Sequence, residues 1–200
     1  LMEPAETGKQ YDGIAEAWAD RVPKAYGMKA LERALVFAPE GGVALDVGCG
    51  SEGRFLRRLR EYGFQTEGMD VSPRMVELAR EGSPESLIHV GDVSGWEFPK
   101  RYDFISAWDS TFHLPLDRQE PALRNLCGGL AEGGVLMFTC GGGEAGEISG
   151  TFLGAELEYS TLGVERFVAI LDGCGCALLH VDYDQWPEKH VVVVAMKRGR

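Results

Sequence analysis

The chain has 200 residues, of which 44% are hydrophobic and 26% are charged, so one globular domain with a sizeable buried core is expected. Its 20 basic and 31 acidic residues give a net charge of −11. This balance argues against a broad nucleic-acid interface, because phosphate contacts need clustered Lys and Arg. No secretory leader is visible, and no apolar run is long enough to span a membrane. We therefore expect a cytoplasmic protein with no membrane partner.

The predicted helices and strands follow from the spacing of apolar residues. Helical periodicity opens the chain within residues 9–38, in two pieces separated near Pro23. The first strand is predicted at 43–47 and is followed directly by glycines. Further strands are predicted at 64–70, 87–91, 102–108, 135–140, 177–183 and 191–197, and further helices at 53–62, from Ser72 onward, at 117–130 and at 162–171.

Strands alternate with helices along most of this order, which predicts a mostly parallel sheet with helices on both faces. The last two strands differ, since only about six residues separate them and a parallel crossover needs a dozen or more. The final strand should therefore run antiparallel. The segment 141–161 is rich in glycine and is predicted to be irregular, apart from a candidate strand at 156–159.

The cysteines and the clustered arginines do not by themselves indicate a site. Five cysteines are an odd number and lack the spacing of a disulfide framework. They also lack the paired C-x2-C or nearby histidines of a zinc site, so reduced thiols and no metal are predicted. Four arginines, at positions 54, 57, 58 and 60, lie on one predicted helix, and we interpret them as solvated surface.

The most informative segment is the glycine loop at residues 43–53, which reads V-A-L-D-V-G-C-G-S-E-G. The spacing Gly48, Gly50 and Gly53 is that of a dinucleotide fingerprint, with Asp70 where a ribose-binding acid is expected. Asp46, however, ends the strand before the loop, where its carboxylate would repel a pyrophosphate and suit a ligand carrying an ammonium and a sulfonium. The loop therefore favours S-adenosylmethionine over NAD. A nicotinamide oxidoreductase stays open as an alternative, because it would use the same glycines and Asp70.

Five motifs then occur in a fixed order. They are L-D-V-G-C-G from Leu45, G-M-D-V-S-P-R-M from Gly68, G-D-V from Gly91, Y-D-F-I-S-A-W from Tyr102 and L-A-E-G-G-V-L from Leu130. In this order the chain resembles the class I S-adenosylmethionine-dependent methyltransferase family, over residues 43–197. The resemblance implies an α/β, Rossmann-like doubly wound sheet of seven strands in the order 3-2-1-4-5-7-6, with strand 7 antiparallel and helices on both faces.

The resemblance also implies an arrangement of one domain. Residues 1–38 would be a helical cover, 43–140 the cofactor-binding core, 141–161 an insert over the site, and 162–200 the C-terminal helix and strand pair. One departure concerns the glycine loop: where the family usually has a third glycine this chain has Glu52, and the glycine follows at Gly53. The loop is thus one residue longer, and Glu52 must point away from the cofactor carboxylate.

Cofactor contacts carry over by motif. The methionine half would lie against the glycine loop, the ribose against a carboxylate that accepts two hydrogen bonds, and the adenine between apolar side chains. The implied contacts are Asp46, Gly48, Cys49 and Gly50 for the methionine half, Asp70 for both ribose hydroxyls, Val71 and Met75 for the adenine, Asp92 and the Val93 backbone for its nitrogens, and Trp108 beside the transferable methyl group.

Candidate residues for the acceptor side follow the fourth predicted strand. His113 is the first candidate general base and Asp109 the second, should the acceptor carry a proton at working pH. A structural bond to backbone for His113 and helix capping for Asp109 are the alternatives. Tyr11, Trp108, His113 and Tyr159 are candidate substrate contacts. Gln185, Trp186 and His190 could line the same pocket, although a solvated hairpin is the favoured interpretation of that turn.

These features predict methyl transfer to a small molecule by in-line displacement. About forty N-terminal residues and the segment 141–161 are little material for gripping a macromolecule. A-W-D-S stands where an Asn-Pro-Pro-Tyr-type motif would indicate amino methylation of DNA, RNA bases or glutamine. A non-catalytic S-adenosylmethionine-binding sensor or subunit and a tRNA or protein methyltransferase are the alternatives. The sequence leaves monomer and homodimer both open.

Overall fold

The computed structural model describes residues 2–199. It contains a seven-stranded mixed sheet, a separate two-stranded sheet and seven α-helices within that range. The strands are β1 (Gly42–Val47), β2 (Phe64–Asp70), β3 (Leu87–Val90), β4 (Tyr102–Ala107), β5 (Leu130–Gly141), β6 (Gly146–Phe152), β7 (Ala155–Thr161), β8 (Cys176–Asp182) and β9 (His190–Lys197). The helices are α1 (Pro4–Asp12), α2 (Ala15–Arg21), α3 (Met28–Leu35), α4 (Arg54–Glu61), α5 (Pro73–Gly82), α6 (Leu116–Gly129) and α7 (Val164–Gly173).

The large sheet has the order β3-β2-β1-β4-β5-β9-β8. The first five strands pair in parallel, and β9 runs antiparallel to both β5 and β8. The predicted seven-stranded, Rossmann-like sheet with an antiparallel last strand is confirmed. Its order differs in detail from the predicted numbering, because two strands that belong to a separate sheet precede β8 in the chain.

Those two strands correct the expectation for residues 141–161. The segment is a regular hairpin, in which β6 and β7 pair antiparallel from Gly146↔Thr161 to Phe152↔Ala155. Leu153 and Gly154, with φ of 51° and 87°, form its two-residue turn, a geometry that suits the twist of paired strands. The glycines masked this pattern in the sequence. The N-terminal segment is also divided once more than predicted, into three helices that begin at Pro4.

Both faces of the large sheet are buried, as the alternation along its central strands shows. Leu45 and Ile105 point to the side covered by α6 and α7, whereas Ala44 and Phe104, their neighbours in sequence, point to the side covered by α3 and α4. Parallel strands covered on both faces read as nearly continuous apolar runs. No helix within residues 2–199 is long and apolar enough to cross a membrane.

The loops at the carboxyl ends of β1 and β2 are fixed to each other. The backbone N–H groups of Gly48 and Cys49 both donate to the Met69 carbonyl, at 2.7 and 3.0 Å. Gly48 has φ of 71°, and a Cβ placed on it would lie 2.3 Å from the Ser110 Cβ. Only glycine therefore fits at this turn.

The N-terminal helix is docked onto the start of α5. The Asp12 carboxylate accepts from the Ser72 hydroxyl at 2.5 Å and from the Arg74 backbone N–H at 3.0 Å. Gly8 lies against the Val71 carbonyl so closely that a Cβ there would be 2.7 Å from the oxygen. These contacts hold α1 over the carboxyl edge of the sheet, where loop residues and ligands of α/β folds commonly meet.

Candidate functional site

A cleft opens at the carboxyl ends of β1, β2 and β4, between the strand-end loops and α1. It holds about 810 Å³ of atom-free space when its mouth, which is open to solvent, is included. We call it the strand-end cleft. The residues predicted from sequence that line it are Tyr11, Gly48, Gly50, Asp70, Val71, Met75, Asp92, Val93, Trp108, Asp109 and His113.

Asp70 is the best-positioned carboxylate in this cleft. One of its oxygens accepts from the Gly50 backbone N–H and the other from that of Ser72, each at 3.0 Å. Burial raises the pKa of Asp70 to about 6 despite these hydrogen bonds. Because a carboxylate has about four acceptor positions, each oxygen keeps capacity for one more donor.

Asp92 and Val93 lie at the end of β3. Asp92 accepts from the Ser94 backbone N–H at 2.9 Å and from the Ser94 hydroxyl at 2.7 Å, as in a turn. Its carboxylate lies 3.6 Å from the Arg118 guanidinium. The Val93 carbonyl accepts from the Asn125 amide at 2.8 Å. These bonds make the turn rigid, and both residues face the cleft from it.

Asp46 and Cys49 were expected to face the cleft, but neither residue lines it. Asp46 pairs with Ser106 across β1 and β4, accepts from the Ser106 hydroxyl at 2.6 Å and is only 3% exposed. Burial raises the pKa of Asp46 to about 7. The Cys49 side chain instead packs among Leu56, Val76 and their apolar neighbours, where burial raises the pKa of its thiol. The argument that the Asp46 carboxylate meets a ligand directly is therefore corrected: that side chain lies beneath the loop.

Arg54 is a cleft residue that the sequence interpretation missed. It lines the cleft, donates from Nε to the Tyr26 carbonyl at 3.1 Å, and stacks its guanidinium 5.2 Å from the Phe55 ring centroid. It makes no ion pair with residues 2–199, whereas Arg58 pairs with Glu32 and Glu61 on the surface. The sequence signal that could have identified Arg54 is its place in the first turn of α4, directly after the glycine loop. Glu52 is absent from the cleft lining, as the longer loop requires.

Ser110 is a second residue that was missed. It lines the cleft beside Gly48, and its hydroxyl is buried without a hydrogen-bond partner in the described part of the chain. The Trp108 indole N–H is in the same condition. Buried polar atoms normally have partners, so two unsatisfied ones on one cleft indicate a site built for a polar ligand.

A second cavity adjoins the cleft, and we call it the aromatic cavity. It encloses about 760 Å³ including its mouth and shares four lining residues with the cleft: Tyr11, Trp18, Asp109 and His113. Tyr159 lies here and not in the cleft, with its ring centroid 4.8 Å from that of His113. The remaining lining residues are Arg21, Val22, Pro23, Tyr26, Phe112 and Phe152, none of which was predicted as a site residue.

His113 is held at both ring nitrogens. Nδ1 lies 2.9 Å from the Glu158 carbonyl oxygen, which can only accept, so Nδ1 carries the hydrogen. Burial lowers the pKa of His113, and in the neutral ring Nε2 accepts from the Tyr11 hydroxyl at 2.8 Å. The ring is thus a neutral acceptor behind the Tyr11 hydroxyl. His113 therefore makes the hydrogen bond to backbone that a structural role requires, and it also lies at the junction of the two cavities.

Asp109 is also fully engaged. It has φ of 48°, unusual for a residue other than glycine. Its two oxygens accept from the Tyr26 hydroxyl and from His190 Nε2, each at 2.7 Å. His190 Nδ1 in turn lies 2.5 Å from Asp184. Burial alone would lower the pKa of His190, but hydrogen bonds and charge from Asp109 and Asp184 outweigh it and raise that pKa.

The interpretation of the last turn as a solvated hairpin is therefore wrong for His190 and right for Trp186. The His190 side chain is 13% exposed and its ring lies 5.2 Å from that of Trp108. Gln185 donates to the Tyr26 hydroxyl at 3.1 Å, whereas Trp186 is 77% exposed. The turn supports the site because His190 holds Asp109 by a hydrogen bond, but no residue of the turn lines either cavity.

The family of the chain is shown by comparison with known proteins. A family model described as a methyltransferase domain matches residues 17–141, more than half of the chain. The chain belongs to this family. With the fold described above, it is a member of the class I S-adenosylmethionine-dependent methyltransferases.

Two relatives cover part of the chain. A dTDP-4-amino-2,3,4,6-tetradeoxy-D-glucose N,N-dimethyltransferase from Saccharopolyspora spinosa is 32% identical over 102 residues, or 50% of this chain and 41% of that protein. A phosphoethanolamine N-methyltransferase from Plasmodium falciparum (isolate 3D7) is 27% identical over 119 residues, or 56% of this chain and 45% of that protein. The chain spans less than half the length of these two relatives.

Solved structures match over nearly the whole chain. An S-adenosylmethionine-dependent methyltransferase from Clostridium acetobutylicum ATCC 824 superposes with a TM-score of 0.73 at 15% identity, covering 94% of this chain and 99% of that one. At this identity the likeness shows the fold alone.

Proposed function

We propose that the protein transfers the methyl group of S-adenosylmethionine to a small-molecule acceptor. The observation that carries this proposal is the meeting of two cavities at Tyr11, Trp18, Asp109 and His113. One cavity has the strand-end loops that the family uses for its cofactor. The other leads from them beneath α1, α2 and the β6–β7 hairpin, and supplies the space that an acceptor needs.

The residues of the strand-end cleft fit the cofactor. Each oxygen of Asp70 already accepts one backbone N–H and can accept one more hydrogen bond from a neighbouring hydroxyl, as a ribose requires. The Arg54 guanidinium has no carboxylate partner within residues 2–199 and suits the carboxylate of the methionine moiety. A Cβ on Gly48 would clash with the Ser110 side chain, so this wall of the cleft can form only with glycine at that position. Val71 and Met75 offer apolar walls for the adenine, with Asp92 and Val93 at its edge.

When bound, S-adenosylmethionine supplies an already activated methyl group, so the chain's own task is mainly positioning. The acceptor atom must lie about 3–3.5 Å from the methyl carbon and in line with the departing sulfur. The aromatic walls hold the acceptor and keep water away. A proton passed to the Tyr11 hydroxyl would reach His113 Nε2 at 2.8 Å, which keeps His113 ahead of Asp109 as the candidate base.

The proposed arrangement of the chain follows from which segments line the aromatic cavity. Residues 1–38 act as a cover, through Tyr11, Trp18 and Tyr26, and residues 141–161 act as an insert over the site, through Phe152 and Tyr159. Both relatives are named for small acceptors, which supports a small molecule here, and the net charge of −11 disfavours nucleic acid. The five free thiols support a reducing, cytoplasmic location.

Filling the aromatic cavity tests the proposal. Val22 lines the aromatic cavity but not the strand-end cleft, so Val22→Trp should leave the affinity for S-adenosylmethionine unchanged. The same variant should reduce the formation of S-adenosylhomocysteine at least tenfold, in assays with fractionated small-molecule extracts as the source of acceptor. Lys24→Trp, exposed two residues on, is the control and should do neither. Wild-type turnover by Val22→Trp would show that the acceptor binds elsewhere. Cofactor binding without product in any fraction would favour a non-catalytic sensor.

A further inference from the structure

We infer that the acceptor atom is the nitrogen of an amine, bound in the aromatic cavity as the free base and leaving as a methylated ammonium ion. This inference rests on the proposed function and narrows it to one acceptor class. Three features of the cavity carry it: its walls, its charge and the hydrogen-bonding state of its polar groups.

The walls are mostly aromatic, since seven of the eleven lining residues carry an aromatic ring. Neighbouring rings are inclined to one another at different angles, for example 44° between His113 and Tyr159 and 81° between Tyr11 and Trp18. Ring faces carry negative electrostatic potential and attract cations, and a cage of them recognises methylated ammonium groups. The rings that line the cavity are Tyr11, Trp18, Tyr26, Phe112, His113, Phe152 and Tyr159.

The charge at the inner end of the cavity is negative. Asp109 is the one carboxylate among its lining residues, and it lies where the cavity meets the cleft. Asp109, a protonated His190 and Asp184 form a chain whose net charge is −1. The one lining cation, Arg21, is exposed, where water and salt screen its repulsion.

This charge distinguishes amines from anionic acceptors. In transfer to an amine the nitrogen lone pair forms the N–C bond, the C–S pair stays on sulfur, and the positive charge moves from sulfur to nitrogen. Asp109 and the ring faces stabilise that charge as it arrives. A phenolate or carboxylate would instead be repelled by Asp109, and a neutral phenol would first have to lose its proton.

The hydrogen bonds of the site agree with this assignment. Both nitrogens of His113 and both oxygens of Asp109 already have partners, so no unengaged base is ready to deprotonate an acceptor before attack. A free amine needs none. The methylated nitrogen keeps its proton and leaves the cavity as the ammonium ion, so the transfer needs no proton acceptor in the site.

The test compares cations with neutral molecules of the same shape. Protein saturated with S-adenosylhomocysteine is titrated calorimetrically with choline and tetramethylammonium, and with their neutral carbon analogues, 3,3-dimethyl-1-butanol and neopentane. Each cation should bind at least tenfold more tightly than its analogue. If S-adenosylhomocysteine itself does not bind, the proposed function fails. If it binds and no cation is preferred, the function stands and the amine assignment is overturned.

Two variants trace the preference to the cavity. Asp109→Asn keeps the shape, tolerates a positive φ and should reduce the preference for cations at least fivefold, whereas Asp182→Asn, an exposed carboxylate paired with Arg33, should not change it. Phe152→Leu removes one ring from the hairpin and should reduce the preference about twofold to threefold, consistent with one exposed cation–π contact. An undiminished preference in both Asp109→Asn and Phe152→Leu would contradict the inference.

Discussion

The strand-end cleft and the aromatic cavity meet at four residues but are built differently. In the cleft, short loops after parallel strands position the ribose-binding carboxylate by backbone hydrogen bonds, since the N–H groups of Gly50 and Ser72 donate to Asp70. In the aromatic cavity, side chains from α1, α2 and the β6–β7 hairpin hold one another by ring contacts. A rigid backbone cradle suits a ligand shared by a whole family. A wall of side chains on separate segments suits an acceptor that differs between members.

The largest effect should come from crowding the backbone cradle. Gly48→Ala places a methyl group against Ser110 at a φ of 71°, and we expect the free energy of unfolding to fall by about 3 kcal/mol from strain and overpacking together. Cofactor binding should be lost.

Gly50→Ala is the matched control, since its φ is 62° and only Trp18 lies near, at 3.5 Å. It should cost about 1–2 kcal/mol, from strain alone. Urea denaturation and calorimetry measure both variants. Equal costs for the two substitutions would contradict the close approach to Ser110.

The cleft was the more predictable of the two regions. The glycine spacing, the acid that ends β2 and the acid that follows β3 are local signals, and a parallel sheet brings its strand ends to one edge. Asp70 and Asp92 therefore lie where the sequence placed them. Asp46 does not, because the cross-strand pairing that turns its carboxylate to Ser106 depends on which strand becomes the neighbour of β1.

The aromatic cavity could not be read in the same way. His190 meets Asp109 across 81 residues, and Trp18 meets Phe152 on a hairpin whose glycines masked its strands. Such contacts are decided by tertiary packing. Arg54 was missed for a different reason: charge on a helix usually means solvent, and only the short distance from the glycine loop distinguished it from Arg58.

The next largest effect should come from Asp46, which lies beneath the cleft, as a pH dependence of the free energy of unfolding. The folded pKa of Asp46, about 7, lies above its ordinary 3.8. Between these values the folded chain keeps a proton that the unfolded chain has lost. The stability from this group is therefore complete below pH 3.8 and is lost as the pH rises through about 7.

Asp46→Asn should flatten that fall, and at pH 8 it should raise the free energy of unfolding by on the order of 2 kcal/mol relative to wild type. Urea denaturation at pH 5, 6, 7 and 8 measures it, with Asp20→Asn, an exposed carboxylate on α2, as the control. If the free energy of unfolding of Asp46→Asn depends on pH as that of wild type does, ionisation of Asp46 does not destabilise the folded chain.

A smaller effect should separate two arginines of α4. Arg54→Gln removes the cation that we assign to the cofactor carboxylate, and S-adenosylhomocysteine affinity should fall about tenfold, the equivalent of about 1.4 kcal/mol for a charged hydrogen bond. Arg58→Gln breaks surface ion pairs and should leave the affinity within twofold. If both variants bind like wild type, Arg54 does not contact the cofactor.

The smallest effect should be that of a single hydroxyl at the junction. Tyr11→Phe leaves the buried His113 Nε2 without its donor, and we expect a loss of about 1 kcal/mol in the free energy of unfolding with cofactor affinity unchanged. Tyr159→Phe removes a hydroxyl from the same cavity that makes no hydrogen bond within residues 2–199, and its thermal denaturation should match wild type. If both variants lose the same stability, the loss in Tyr11→Phe does not come from the Tyr11–His113 hydrogen bond.

The most direct test of the account is a calorimetric titration of wild type and Asp70→Ala with S-adenosylmethionine, S-adenosylhomocysteine and NADH. We predict that the first two bind wild type, that Asp70→Ala weakens both at least tenfold, and that NADH does not bind. Binding of NADH in preference to S-adenosylmethionine would contradict the assignment of the cleft and the proposed reaction together.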